Sequence, residues 1–189
     1  MPIARSIWIR SRIRLTIGAD VCAARLAQAV ADLHVGPGDQ AGSDIGPLIG
    51  PAALAKVEHH IADACAKGAQ VLTGGSRIAG TFFQPTVMTG MTADMAIARE
   101  EVFGPVLAII PFDTEEEAIE IANDTNYGLA AYIQSGDLDR AERVAARLRA
   151  GMVHINGAPH RYGSPFGGYK QSGNGREGGM FGLEDFLEI

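Results

Sequence analysis

From Ile7 to Ile17 the chain alternates. Ile7, Ile9, Ile13, Leu15 and Ile17 fall on one parity, and Trp8, Arg10, Arg12, Arg14 and Thr16 on the other. A period of two predicts a strand over Ile7–Ile17, half-buried, with a basic outer face. The period then lengthens. Cys22, Leu26, Ala29, Val30 and Leu33 share one face of a helix predicted over Asp20–Leu33. A Gly-, Pro- and Asp-rich stretch, HVGPGDQAGSDIGPLIGP, reads as a long loop. A second helix starts near Pro51, a good first-turn residue. Its apolar stripe is Leu54, Val57, Ile61, Ala64 and Cys65, and Gly68 ends it. AQVLTGG predicts a short strand with a glycine turn. TFFQPTVM is extended, with Pro85 at an edge or break.

The second half has a different rhythm. GPVLAIIPF is a continuous apolar run between prolines, which predicts a strand buried on both faces. Thr114 opens a helix, and Glu117 completes a capping box three residues on. GLAAYIQS is the next strand. Asp137 caps a helix carrying Leu138, Ala141, Val144 and Leu148, closed by Gly151, and MVHIN is another strand. Strand, helix, strand, helix, strand from Pro105 to Asn156 implies a parallel α/β sheet with crossover helices.

Composition narrows the function classes. The chain has 189 residues, 47% hydrophobic and 20% charged, ordinary values for one globular domain. A formal net charge of −6 argues against a nucleic-acid partner. No apolar run reaches membrane-spanning length. Two cysteines make neither a disulfide framework nor a zinc site, so no metal is expected and a reducing, cytoplasmic setting is the default. The arginine-rich, acid-free start has the composition of a transit peptide, but its strict alternation favours a strand. It lacks the apolar core of a secretory signal.

Candidate chemistry lies in two stretches. SPFGGYKQSGNGREGG has six glycines, but Lys170 follows Tyr169 and precedes Gln171, so phosphate-loop spacing fails. Its glycines suit turns and close backbone approach. It follows the last parallel strand, where ligands gather in open α/β sheets. In REEVFGPV, Glu100 and Glu101 are adjacent and do not form an acid–base pair on one face. A carboxylate before a Phe-Gly-Pro turn can accept two hydrogen bonds from a ribose diol, and Phe103 can pack on a flat ring. The plainer reading is a solvated acid and a core phenylalanine. Cys22 and Cys65 are expected to be core packing, and His59 and His60 a solvated or half-buried pair. His154 is expected on the strand face opposite Val153 and Ile155. His160 and Arg161 are candidate pocket-lining residues.

REEVFGPV, NYGLAA and SPFGGYKQSGNGRE, with GPLI and GAQVLTGG upstream, together resemble the C-terminal part of an aldehyde dehydrogenase, from about Ala19 to the end. The resemblance implies an α/β fold, a parallel sheet with flanking helices, plus a clipped C-terminal assembly strand. Residues 1–18 would be a divergent segment, 19–178 the catalytic-domain part and 179–189 a truncated oligomerisation segment. It implies oxidation of an aldehyde to an acid with NAD or NADP, with weak or absent binding of that cofactor expected for this chain alone. It places Glu101 on the nicotinamide ribose, Phe103 beside the nicotinamide and Phe166 at the aldehyde tunnel. Ala53 stands where some members carry a cofactor-contacting glutamine. The family nucleophile, general base and Rossmann half lie upstream of the region resembled, so no catalytic residue is assigned. The isolated chain is expected to be an inactive fragment, paired with a missing N-terminal half or with copies of itself. The alternative is a non-catalytic module that docks on a full-length relative.

Overall fold

The computed structural model describes residues 4–8, 19–184 and 186–188. The first strand, β1, is Ala4–Trp8. Of the alternating stretch, Ile7 and Trp8 fall within it, and positions 9–17 lie outside the described residues. The chain divides into two compact units. One runs through Pro111, and the other joins β1 to everything from Phe112 onward.

The unit ending at Pro111 begins with α1 (Ala19–Ala31) and α2 (Pro51–Ala66). On α1 the buried residues are Ala23 and Ala27, one position round from the expected face. The helix packs on β2 (Gln70–Thr73) and β5 (Thr86–Thr89), and alanine methyls let it approach closely. Cys22 is therefore exposed, a correction to the core role expected for it. On α2, Leu54, Val57, Ile61 and Ala64 are buried as the period requires, but Cys65 is exposed and His60 takes a core position. Helical phase explains both. Residue 60 follows Val57 by three and precedes Ala64 by four, inside the stripe, whereas Cys65 lies past its edge. His60 is 0% exposed, which overturns the solvated or half-buried pair.

Between the sheet strands, β3 (Arg77–Ala79) and β4 (Phe82–Phe83) pair antiparallel. Pro85 breaks TFFQPTVM, leaving β4 before it and β5 after it. The short α3 (Ala96–Arg99) leads to β6 (Val106–Ala108). The three-stranded sheet has the order β2-β5-β6, with β5 antiparallel to β2 and parallel to β6. Leu54, Val57, Phe83, Met88, Met95 and Val102 build its core. The strand expected to be buried on both faces is only three residues long, and Leu107 is 47% exposed. As the outer member of the order it has a single strand neighbour.

The second unit contains α4 (Glu115–Asn123), β7 (Tyr127–Gly128), β8 (Ala130–Gln134), α5 (Leu138–Ala145), β9 (Met152–Ile155), β10 (Tyr169–Lys170) and α6 (Gly179–Glu184). β1, β8 and β9 form an all-parallel sheet with β8 central. β8, α5 and β9 make one strand–helix–strand unit, as the alternation predicts. β6 pairs with β5 instead of joining them, so the expected run of three strands is split between two sheets. Local caps form as the sequence directs. The Thr114 Oγ1 accepts from the Glu117 amide at 3.1 Å, and the Asp137 carboxylate accepts from the Arg140 amide at 3.0 Å. Glu117 reaches back to the amide of Asp113 at 2.7 Å, one residue before the cap. Ala141, Val144 and Leu148 pack against Ala118, Ile119 and Ile133. Leu138, expected on that face, is 56% exposed. Among the described residues no helix is long and apolar enough to cross a membrane, and no cluster of three metal-ligating side chains occurs.

Candidate functional site

In the first unit the chemistry-bearing stretch is a corner between α3 and β6. Three anchors fix it. Val102 is buried in the core. A Cβ on Gly104 would come within 2.4 Å of the Val57 side chain, so the corner lies directly on α2 and only glycine fits. The Glu100 carboxylate accepts from His60 Nε2 at 3.2 Å, with the Lys56 ammonium 4.0 Å away. Between these anchors Glu101 is half-buried and Phe103 is 58% exposed with φ of 51°. Left-handed backbone disfavours a bulky residue, and strain of this kind persists only where the surroundings over-determine it. Phe103 is therefore not the core phenylalanine of the plainer reading. It is a ring held out from a well-anchored turn.

The approach to the corner is also tied down. Asp63 on α2 accepts from the Ala96 amide at 2.8 Å and pairs with Lys67 at 2.9 Å. That amide bond, then the Lys67 ammonium, holds the Asp63 carboxyl below its ordinary value of 3.8. The Thr92 hydroxyl donates to Asp94 and lowers its carboxyl likewise. Lys67, just past the end of α2, also donates to the Asp94 carbonyl at 2.7 Å, so Asp63 and Lys67 together tie down the start of α3 and the turn before it.

In the second unit the glycine-rich stretch is a scaffold whose two cations are committed to backbone. Lys170, with φ of 56°, donates to the carbonyls of Asn123 and Thr125, both at 2.8 Å, at the end of α4. Arg176 donates to the carbonyls of Gly168, Asn174 and Gly175, and its guanidinium lies 5.2 Å from the Tyr169 ring centre. A Cβ on Gly167 would come within 2.2 Å of the Gly175 carbonyl. These contacts describe tight backbone packing and leave both cations turned inward, which is not how a phosphate cradle is built.

Phe166 stands at the edge of this scaffold. Its amide and carbonyl exchange hydrogen bonds with Glu177, both at 2.7 Å, and its ring is 43% exposed. The His160 ring meets it edge-on at 6.2 Å, and both His160 and Arg161 are exposed. At the carboxyl ends of β8 and β9, Asn156 adopts φ of 52° and bonds both backbone groups of Ser135. His154 stacks on Tyr132 at 4.9 Å, while Val153 and Ile155 pack toward the core, as their alternation predicts. Sequence reasoning missed His60. The available signal was its phase on α2, where a polar residue inside an apolar stripe needs a partner.

Parallel strands joined by helices define an α/β protein, and in open α/β sheets the carboxyl ends of the strands are where ligands gather. The chain belongs to the aldehyde dehydrogenase family, whose sequence profile matches residues 14–189. It is 48% identical over 171 residues to a glutarate-semialdehyde dehydrogenase from Pseudomonas putida, covering 90% of this chain and 36% of the relative. It is 49% identical over 173 residues to an NADP(+) succinate-semialdehyde dehydrogenase from Escherichia coli, with shares of 90% and 36%. Its fold matches a crystal structure of succinate-semialdehyde dehydrogenase from Burkholderia pseudomallei with a TM-score of 0.85 and 49% identity, over 95% of this chain and 37% of that one. A Mycobacterium tuberculosis aldehyde dehydrogenase complexed with NAD+ matches with a TM-score of 0.86 and 42% identity, over 96% and 38%. The chain thus spans about a third of the length of the relatives it matches.

Proposed function

We propose that this chain supplies the nicotinamide-ribose end of a cofactor site and part of an aldehyde pocket for oxidation of an aldehyde to a carboxylic acid. The observation that carries this reading is the anchored corner that holds Glu101 half-buried and the Phe103 ring outward. Glu101 accepts hydrogen bonds from the ribose hydroxyls, Phe103 packs against the nicotinamide ring, and Phe166 borders the aldehyde. A bound NAD or NADP would supply the hydride acceptor, and Glu101 and Phe103 would orient its nicotinamide end. Relatives named for semialdehydes of dicarboxylic acids support a substrate with an acid at its far end. Residues 179–189 are the part that assembles with other chains. A polypeptide of these 189 residues does not itself turn over aldehyde.

The test is titration with nicotinamide mononucleotide, which carries only the ribose and ring this corner would contact. NMR shift changes are expected at Glu101 and Phe103, and Glu101→Gln should abolish them. Absence of shifts at the corner at saturating ligand sinks the reading.

A second reading, a non-catalytic module docking on a full-length relative, is favoured by the apolar tail. Met180, Phe181, Leu183, Phe186 and Leu187 are all exposed. Mixing with a purified full-length relative and sizing the product separates the two readings.

A further inference from the structure

We infer that His60 is the positioning residue of the Glu101–Phe103 corner, acting through Glu100; this rests on the nicotinamide reading of that corner. His60 is 0% exposed and sits among Val57, Ile61 and Ala64, where an apolar side chain would pack without penalty. Its Nδ1 is buried with no hydrogen-bond partner among the described residues, and its Nε2 meets the Glu100 carboxylate at 3.2 Å. A buried imidazole with one nitrogen unsatisfied is poor stabilising design, because an unmade bond costs the desolvation of that group. The geometry selects one tautomer. With the proton on Nε2, the imidazole donates to Glu100 and leaves only an acceptor lone pair unpaired at Nδ1. The opposite tautomer buries an unpaired N–H and sets a lone pair against a carboxylate.

The payoff of that bond is positional. Glu100 is the first residue after α3 and is 57% exposed at its side chain, so packing alone does not hold it. Lys56 at 4.0 Å is a surface cation whose flexible stem fixes no direction. His60 has no such freedom, because the core clamps its ring. The Glu100 amide is bonded to the Ala96 carbonyl at 2.8 Å. With the Glu100 side chain fixed from below, Val102 in the core and Gly104 against Val57, Glu101 and Phe103 are left between the anchors, and the left-handed turn at Phe103 is the outcome. Without the His60 bond the Glu100 side chain loses its fixed direction, the entry to the corner keeps its backbone bond to Ala96 and the Lys56 contact, and Phe103 can relax to negative φ.

The experiment compares full-length chains carrying His60→Leu, His60→Gln and Glu101→Gln with the unsubstituted protein. Three readouts are taken: the thermal midpoint, the Phe103 backbone conformation from its Cα and Cβ shifts and amide coupling, and affinity for nicotinamide mononucleotide. His60→Leu should leave the midpoint unchanged or raised, since it fills the same space without an orphaned nitrogen. It should also abolish the left-handed signature of Phe103 and weaken binding about tenfold, the scale of one hydrogen bond to a charged group. His60→Gln, which can still donate to Glu100, should restore both. A merely structural histidine would show the reverse, a lowered midpoint with an intact corner. If His60→Leu keeps the Phe103 signature, the inference is overturned whatever the ligand does. If His60→Leu loses that signature but the unsubstituted protein and Glu101→Gln bind the mononucleotide alike, the corner is positioned by His60 and the nicotinamide reading is what fails.

Discussion

Asn156 grips Ser135 from both sides. Its Oδ1 accepts from the Ser135 amide at 2.8 Å, and its Nδ2 donates to the Ser135 carbonyl at 2.9 Å. The pair clamps the carboxyl ends of β8 and β9, from which the loops toward Phe166 depart. Asn156 itself has φ of 52°, a conformation its short amide tolerates better than most side chains.

Two variants separate the clamp from the backbone conformation. Asn156→Gly keeps the conformation and loses both bonds, and should cost about 1–2 kcal/mol by denaturant unfolding. Asn156→Ala loses the bonds and also strains the backbone, which adds about 1 kcal/mol more. Equal costs for the two would show that the left-handed conformation contributes nothing.

How much of this was legible depends on the distance over which the determinant acts. The caps at Thr114 and Asp137 are set within four residues and both formed, with Glu117 closing on the Asp113 amide instead of that of Thr114. The stripe on α2 was legible because period alone places Leu54, Val57, Ile61 and Ala64. The exposure of Cys22 was not, because the face of α1 was chosen by how closely alanines approach β2 and β5, a tertiary fact. The pairing of β6 with β5 was equally hidden, since an apolar run says a strand will be covered and not by which neighbour. His60 and Glu100 are forty residues apart, and nothing local joins them. The strain at Phe103 has no sequence signature, because phenylalanine is not a residue that advertises positive φ.

Glycines in the glycine-rich stretch, and Gly151 packed against it, should differ sharply in tolerance from an open one such as Gly38. A Cβ on Gly151 would sit 2.0 Å from the Gly167 carbonyl, and one on Gly167 would sit 2.2 Å from the Gly175 carbonyl. Backbone cannot yield as a flexible side chain can, so Gly151→Ala and Gly167→Ala should each cost about 3 kcal/mol. Gly38→Ala, with nothing within 4 Å, is the control and should be near neutral. Thermal unfolding of the three variants checks this, and a mild effect at Gly167 would mean that the stretch is looser than its contacts imply.

The lowered Asp63 carboxyl has a signed consequence for acid stability. A carboxylate whose folded value lies below its unfolded one stabilises the fold at pH above the unfolded value. That contribution fades as pH falls below about 3.8 through the lower, folded value. Asp63→Asn keeps an oxygen for the Ala96 amide but cannot titrate. Its stability should therefore fall less steeply than that of the unsubstituted chain as pH drops from 5 to 2 in urea titrations, the range of roughly the carboxylate transitions. Parallel curves would show that the Ala96 bond and Lys67 do not couple Asp63 to folding. Asp94, also lowered, remains in both proteins and sets a common background.

The last expectation concerns chemistry. Oxidation of an aldehyde through a thiohemiacetal needs a thiolate within bonding reach of the carbonyl, a base to activate water, and donors aimed at the developing oxyanion. Cys22 lies on the solvent side of α1, and Cys65 is in the last turn of α2, also exposed. A thiol on the outer face of a helix can be reached by reagents but is not enclosed with a substrate, so it gains neither orientation nor exclusion of water. Both thiols should therefore react fully and quickly with a disulfide reagent under native conditions. The same protein incubated with NAD or NADP and a panel of aliphatic, aromatic and semialdehyde substrates should produce no reduced cofactor above the uncatalysed rate. Turnover that disappears in Cys22→Ala or Cys65→Ala would overturn this, because it would place a nucleophile where the structure shows only an exposed helix face.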